Sequence, residues 1–163
     1  MSETAQFTQL IKDNEGILFK VTSVYTDDYE TKQDLYQEIV LQLWKSFDAF
    51  NGESKWSTWM YRIALNTAIT YMRKAKKKKV FVPLDQTVLN YSESTDHEFE
   101  ERLKTLYAHI KMLNTLEKGI ILLFLEDKNY EEISSITGLT VTNVASRLSR
   151  IKMKLKEQIT NKS

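Results

Sequence analysis

The chain of 163 residues contains no cysteine. It can form no disulfide and offers no thiolate to a metal. Its two histidines, His97 and His109, are too few for an ordinary zinc site. No apolar run approaches the roughly 20 residues that span a bilayer. No apolar stretch at the N-terminus reads as a signal peptide. These absences fit a cytoplasmic protein with no direct membrane insertion, no cofactor and no metal. Glycine and proline are scarce as well, at four and one. With so few helix breakers, 3.6-residue patterns can run long, and the expected fold class is all-α.

Net charge is nearly absent too, at +1, but the total hides a pattern. Residues 1–60 carry ten acids and five bases. Residues 61–79 carry seven bases and no acid, and residues 80–101 carry six acids and no base. Residues 102–138 are balanced, and residues 139–163 carry six bases and one acid. Two cationic segments are thus separated by an acidic one. Nucleic acid responds to local positive charge, so near-neutrality of the whole does not argue against it.

What is present is organised around Asp34–Lys79. Leu35, Ile39, Val40, Leu43, Trp44, Phe47 and Phe50 recur at helical spacing over Asp34–Phe50. A break at Asn51-Gly52-Glu53-Ser54-Lys55 follows, with Ser54 the expected N-cap of the next helix. That helix carries Trp56, Trp59, Met60, Ile63, Ala64 and Ala68 and ends in the lysines up to Lys79. An earlier stripe runs from Phe7 to Tyr25 and is interrupted at Asn14. Together these patterns predict a small helical bundle over residues 1–79.

Residues 80–98 carry the only proline and no helical stripe, and are expected to form a flexible acidic linker. At roughly 3.3 Å per residue it reaches about 60 Å when extended. A second helical domain is expected over 99–163. Its first helix restarts at Phe99, and its second, Thr115–Glu126, is apolar enough to be buried almost all round. Asn114 and Glu117 have capping-box spacing, as do Asn129 and Glu132. Ile133 and Ile136 then face inward, Gly138 stops the short helix, and Thr140 caps a longer one lined by Val144, Leu148, Ile151 and Leu155. This pattern is a helix-turn-helix. The opposite face of the last helix carries Asn143, Ser146, Arg147, Ser149, Arg150, Lys152 and Lys154, which suits DNA. The bland alternative is a helical hairpin with a solvated basic face.

With hinge and helix-turn-helix both present, the chain resembles the extracytoplasmic-function group of bacterial sigma-70 factors. The resemblance rests on Asp34-Leu35-Tyr36-Gln37-Glu38, Leu43-Trp44, Phe50-Asn51-Gly52 and Ser57 through Ala68 in the first half. It continues through Pro83-Leu84-Asp85, Tyr130-Glu131-Glu132-Ile133, Gly138-Leu139-Thr140 and Val144 through Arg150. It implies a factor that binds the RNA polymerase core, recognises promoter DNA and helps open it. By the same resemblance, Asp34, Gln37, Glu38 and Trp44 would dock on polymerase; spacing alone fits a solvated face equally well for the first three. Asn51, Glu53, Ser54, Lys55, Trp56 and Arg62 would meet the melted non-template strand of the minus-ten element. Arg73, Lys74, Lys76 and Lys77 would meet its phosphates. Trp59 reads as core, whereas Trp56 fits either core or a pocket wall. Asn143, Ser146, Ser149 and Arg150 would read duplex bases at minus-thirty-five, with Arg147, Lys152 and Lys154 on phosphate. An anti-sigma factor is the further implied partner.

The sequence departs from the family's habits at Thr115-Leu116-Glu117-Lys118, at Thr142-Asn143 and at Ala145. These changes bear on base preference rather than on fold. Two other classes compete. A stand-alone helix-turn-helix regulator would use only Asn129–Lys156 and leaves Asp34–Lys79 unexplained. A nucleic-acid enzyme would need Asp34, Glu38 and Asp48 to converge on a metal.

Overall fold

In a computed structural model the described residues are 2–50, 52, 54–78 and 97–160, without the side chains of 76–78. All regular structure among them is helical, and the chain divides into two compact units, Met1–Leu84 and Asp85–Ser163. Apart from His97 and Glu98, the segment expected to be a linker lies outside the described residues, as do Asn51 and Glu53.

The first unit contains α1 (Glu3–Asp13), α2 (Glu15–Tyr25), α3 (Tyr29–Ser46) and α4 (Trp56–Lys78). Asn14 separates α1 from α2, at the point where the apolar stripe is interrupted. The core joins Leu18, Val21, Leu35, Ile39, Leu43, Met60, Ala64 and Ala68, each essentially inaccessible to solvent. Its small residues lie on α4, where Ala64 and Ala68 are one turn apart and let that helix approach its neighbours closely.

Three helix boundaries differ from the pattern. α3 begins at Tyr29, five residues before Asp34, because Asp28 caps it: its Oδ2 accepts the Thr31 N–H at 3.0 Å. The Thr31 side chain and amide hold this carboxyl below the usual range. The α-helix then ends at Ser46, and Phe47–Ala49 tightens into a 3-10 turn. α4 starts at Trp56, and the Lys55 carbonyl accepts the Trp59 N–H at 3.1 Å. Lys55, not Ser54, therefore stands at the cap position.

The second unit contains α5 (His97–Lys111), α6 (Thr115–Leu125), α7 (Tyr130–Thr137) and α8 (Val141–Thr160). α5 starts two residues before Phe99, and both Phe99 and Leu103 remain exposed. In α6, Ile120 to Leu123 are buried but Leu125 is not, so burial is not all-round. Both capping boxes form: Asn114 and Glu117, and Asn129 and Glu132, exchange reciprocal side chain–backbone bonds. Gly138 ends α7 with φ +81, and the Thr140 hydroxyl accepts the Asn143 N–H at 3.1 Å to open α8.

A Cβ at Gly138 would meet nothing within 4 Å, so the only obstacle there is the left-handed backbone. Gly138→Ala is expected to destabilise the second unit by about 1–2 kcal/mol without a clash. Chemical denaturation reads this, and an unchanged midpoint would show that the turn relaxes to another conformation.

Candidate nucleic-acid interface

In the first unit, the break between α3 and α4 is bracketed by aromatic rings. Phe50, just past the 3-10 turn, stacks on Trp56 with centroids 4.0 Å apart and planes 24° apart. Trp59 meets Trp56 edge-on at 5.7 Å and Phe50 at 5.2 Å. Phe47 lies 5.9 Å from Trp56 and 6.4 Å from both Trp59 and Trp44. The two ends of the break are thus pinned together by a ring pair, an arrangement that adds about 0.5–1.5 kcal/mol beyond simple burial. Gly52 within the break has φ +79.

The two tryptophans divide as their surroundings dictate. Trp59 is 7% exposed and belongs to the core, whereas Trp56 keeps 41% of its surface. One face of Trp56 is covered by Phe50, so its free surface forms a wall beside the break. Ser54 is half-buried and Lys55 exposed at the same place.

Along α4, Lys55, Arg62, Asn66 and Arg73 follow one another at seven, four and seven residues. At about 100° per residue they share one side of the helix. Asn66 and Arg73 are exposed and Arg62 is half-buried. Lys74 turns off this line into a groove of about 460 Å³ lined also by Glu38, Gln42, Asn66, Thr67, Thr70 and Tyr71. The groove brings Glu38, expected to meet polymerase, beside Asn66 and Lys74 of the cationic helix. Gln42 donates to Glu38 Oε1 at 3.0 Å. Burial, then the charges of Asp34, Asp28 and Glu38, pushes the Tyr71 phenol above its ordinary pKa. The acidic face of α3 and the tyrosine of α4 therefore share one electrostatic environment. The side chains of Lys76 and Lys77 lie outside the described set.

Asp34 and Gln37 are exposed and Glu38 half-buried. Trp44, 40% exposed, lies two turns beyond Gln37 on the same side of α3. Between them stands Leu41, 44% exposed, which is absent from the residues expected to meet polymerase. Its signal in the sequence is an apolar residue that falls off the buried stripe. Among the described residues, no three acids or histidines are grouped as metal ligands would be. Asp48 lies near Glu3 instead, and this neighbouring carboxylate raises the Glu3 pKa.

In the second unit, α8 buries Val144, Leu148, Ile151 and Leu155. The residues pointing most directly away from that stripe are Thr142, Ser146, Ser149, Arg150, Met153 and Glu157, all exposed. Of the base-reading candidates, Ser146, Ser149 and Arg150 occupy this strip, and Asn143 sits at its edge. Asn143 Oδ1 accepts the Arg147 Nε–H at 2.6 Å, so those two side chains hold each other. The three phosphate candidates lie on the flanks. Arg147 and Lys154 are on one flank and Lys152 on the other.

Both lysines already have partners on α6. Lys154 Nζ donates to Glu117 Oε2 at 2.8 Å, and Lys152 Nζ sits 4.0 Å above the Phe124 ring. The other Glu117 oxygen accepts the Asn114 N–H at 3.1 Å. Burial pushes the Glu117 carboxyl upward, but Lys154, the Asn114 amide and Arg147 together outweigh it, leaving the pKa below the usual value.

Comparison with known proteins places these two regions in a common order. Residues 10–78 match the family model of sigma-70 region 2, and residues 103–155 match that of sigma-70 region 4. Among curated relatives, RNA polymerase sigma factor SigV of Bacillus subtilis is 28% identical, over 92% of this chain and 89% of its own. The ECF RNA polymerase sigma-E factor of Haemophilus influenzae is 30% identical, over 77% and 73% respectively. Among solved structures, the sigma factor RpoE of Bartonella quintana, in complex with the anti-sigma factor NepR, superposes with a TM-score of 0.73. That match has 20% identity and covers 96% of each chain. CnrH, solved with the cytosolic domain of CnrY, gives 0.69 at 18% identity and covers 99% of this chain and 92% of its own.

Proposed function

This chain belongs to the extracytoplasmic-function group of the sigma-70 family, and from that membership we propose how its surfaces share the work. It is an RNA polymerase sigma factor, with promoter recognition and opening as its task. The first unit takes the polymerase and the minus-ten element. Asp34, Gln37, Glu38 and Trp44 of α3, joined by Leu41, form the polymerase-facing side. The break from Asn51 to Trp56 captures a base of the non-template strand, with Trp56 as the wall of its pocket. Lys55, Arg62, Arg73, Lys74, Lys76 and Lys77 accompany the phosphates along α4.

The second unit takes the minus-thirty-five duplex. Ser146, Ser149 and Arg150 face the base edges with Asn143 beside them, and Arg147, Lys152 and Lys154 lie toward the groove walls. A helix set this way in the major groove reads bases with its outward strip and phosphates with its flanks. The protein does no covalent chemistry of its own and acts in the cytoplasm, where polymerase is. The solved complexes of RpoE with NepR and of CnrH with CnrY support an anti-sigma partner for this chain too.

The observation that carries this reading is the pairing, in one chain, of the ring-pinned break before a basic helix with an outward polar strip on α8. A stand-alone regulator would use α7 and α8 but leave the first arrangement idle. The test is transcription in vitro with purified protein, bacterial core polymerase and a genomic promoter pool, followed by sequencing of the transcripts. New start sites sharing two spaced motifs are expected. Tight duplex binding with no initiation, using the native core enzyme, would return the protein to the regulator class.

A further inference from the structure

α1 starts before the region that matches the family model, which begins at residue 10. Only one of its side chains is buried, Phe7. That ring packs on the end of α3 and on the turn beyond it. It stands edge-on to Trp44 at 5.0 Å and to Phe47 at 5.3 Å, both at 62°. In this arrangement the positive ring edge meets the negative face of its neighbour.

Phe47 opens the 3-10 turn. Its closing backbone bond, from the Phe50 N–H to the Phe47 carbonyl, is 3.2 Å long. A turn this short has weak internal hydrogen bonding, so side-chain packing sets its position. From Phe47 the ring contacts continue to Trp56, and from Trp56 to Phe50.

We propose that Phe7 is a positioning residue for strand capture: it seats Phe47 and Trp44, and through Phe47 it sets the Phe50–Trp56 pair that brackets the break. This rests on the assignment of that break to the minus-ten strand. Phe7 touches no DNA. Its removal leaves the core of Leu18, Leu35, Ile39, Leu43 and Met60 in place but frees the turn on which the pocket wall depends.

The experiment uses the full chain assembled with saturating core polymerase. The probe is a fluorescent single-stranded oligonucleotide with the non-template minus-ten sequence of a promoter found in the transcription assay. Phe7→Ala is expected to weaken binding about tenfold, as the loss of two ring contacts implies. Phe7→Tyr should bind like the parent. Phe7→Leu keeps the apolar volume, folds if Ala does not, and should still weaken binding several-fold because it lacks a ring edge. Duplex binding at minus-thirty-five should be unchanged in all three.

Trp56→Ala is measured alongside. A Phe7→Leu or Phe7→Ala protein that is folded and captures the strand normally, while Trp56→Ala does not, overturns the role of Phe7. Variants that lower only the unfolding temperature and leave strand affinity unmoved overturn it equally. If Trp56→Ala also captures the strand normally, the assignment of the break fails, and the role of Phe7 falls with it.

Discussion

Trp56→Ala should slow promoter opening by about ten- to a hundredfold while leaving the affinity for core polymerase and for minus-thirty-five duplex unchanged. An aromatic side chain against a base contributes about 1–3 kcal/mol, and each 1.4 kcal/mol is a factor of ten. The substitution removes this wall and also the stacking partner of Phe50, leaving the Phe50–Trp59 contact to hold the two ends of the break. A base leaves the duplex stack at a cost of a few kcal/mol, which the pocket must offset. The defect should therefore shrink on a template whose minus-ten region is already unpaired. Trp56→Phe, which keeps a ring of smaller area, should fall between. Reactivity of unpaired thymines in time-resolved promoter footprints measures the rate. Normal opening by a folded Trp56→Ala protein would remove Trp56 from the mechanism.

Glu117→Ala should lower the stability of the second unit by about 2 kcal/mol. The side chain is mostly buried and serves two partners at once. Losing its bond to the Asn114 amide undoes half of a capping box, worth about 1 kcal/mol. Losing the charge-assisted bond to Lys154 adds about 1 kcal/mol, less than for a fully buried pair because the Lys154 side chain is 53% exposed. For a unit of this size, such a loss moves the unfolding midpoint by about 10 °C.

The same carboxylate makes stability depend on pH. Its pKa is lower in the folded protein than the ordinary 4.5, because Lys154 and the Asn114 amide prevail over burial. Its contribution is therefore complete above pH 4.5 and fades as pH falls through the folded pKa. Glu117→Gln keeps an acceptor for the cap but not the charge. The stability gap between parent and Glu117→Gln should be constant from about pH 8 to about pH 5 and close below that. A gap that persisted in acid would assign the effect to packing rather than to the ion pair.

Local chemistry makes part of this structure legible in the sequence. Asn129, Glu132, Gly138 and Thr140 act on neighbours two to four residues away, so their spacing carries their meaning. The stripe of α8 is similarly direct. The start of α3 is hidden for a related reason: Glu30, Thr31, Lys32 and Gln33 carry no apolar signal, and the cap at Asp28 stands well before the stripe begins. Ser54 suits a cap by residue type, but the chain enters α4 one residue later. Relations between distant residues leave no such trace. Glu117 meets Lys154 across 37 positions, and Phe7 meets Trp44 and Phe47 across 37 and 40. A helical pattern shows that a residue turns inward, but not which ring or charge awaits it there. Lys152 and Lys154 can be assigned from spacing to the basic face of α8, but not to Phe124 and Glu117.

The way α8 is held has a consequence for the history of such a protein. Its attachments run through Val144, Leu148, Ile151 and Leu155 and through lateral contacts to α6, whereas Ser146, Ser149, Arg150 and Met153 point away from the rest of the unit. Exposed helix positions of this kind exchange residues with little change in stability. Mutation can therefore sample the outward strip almost freely, and under the proposed base-reading role of that strip a lineage can redirect the factor to new genes while its folding stays intact.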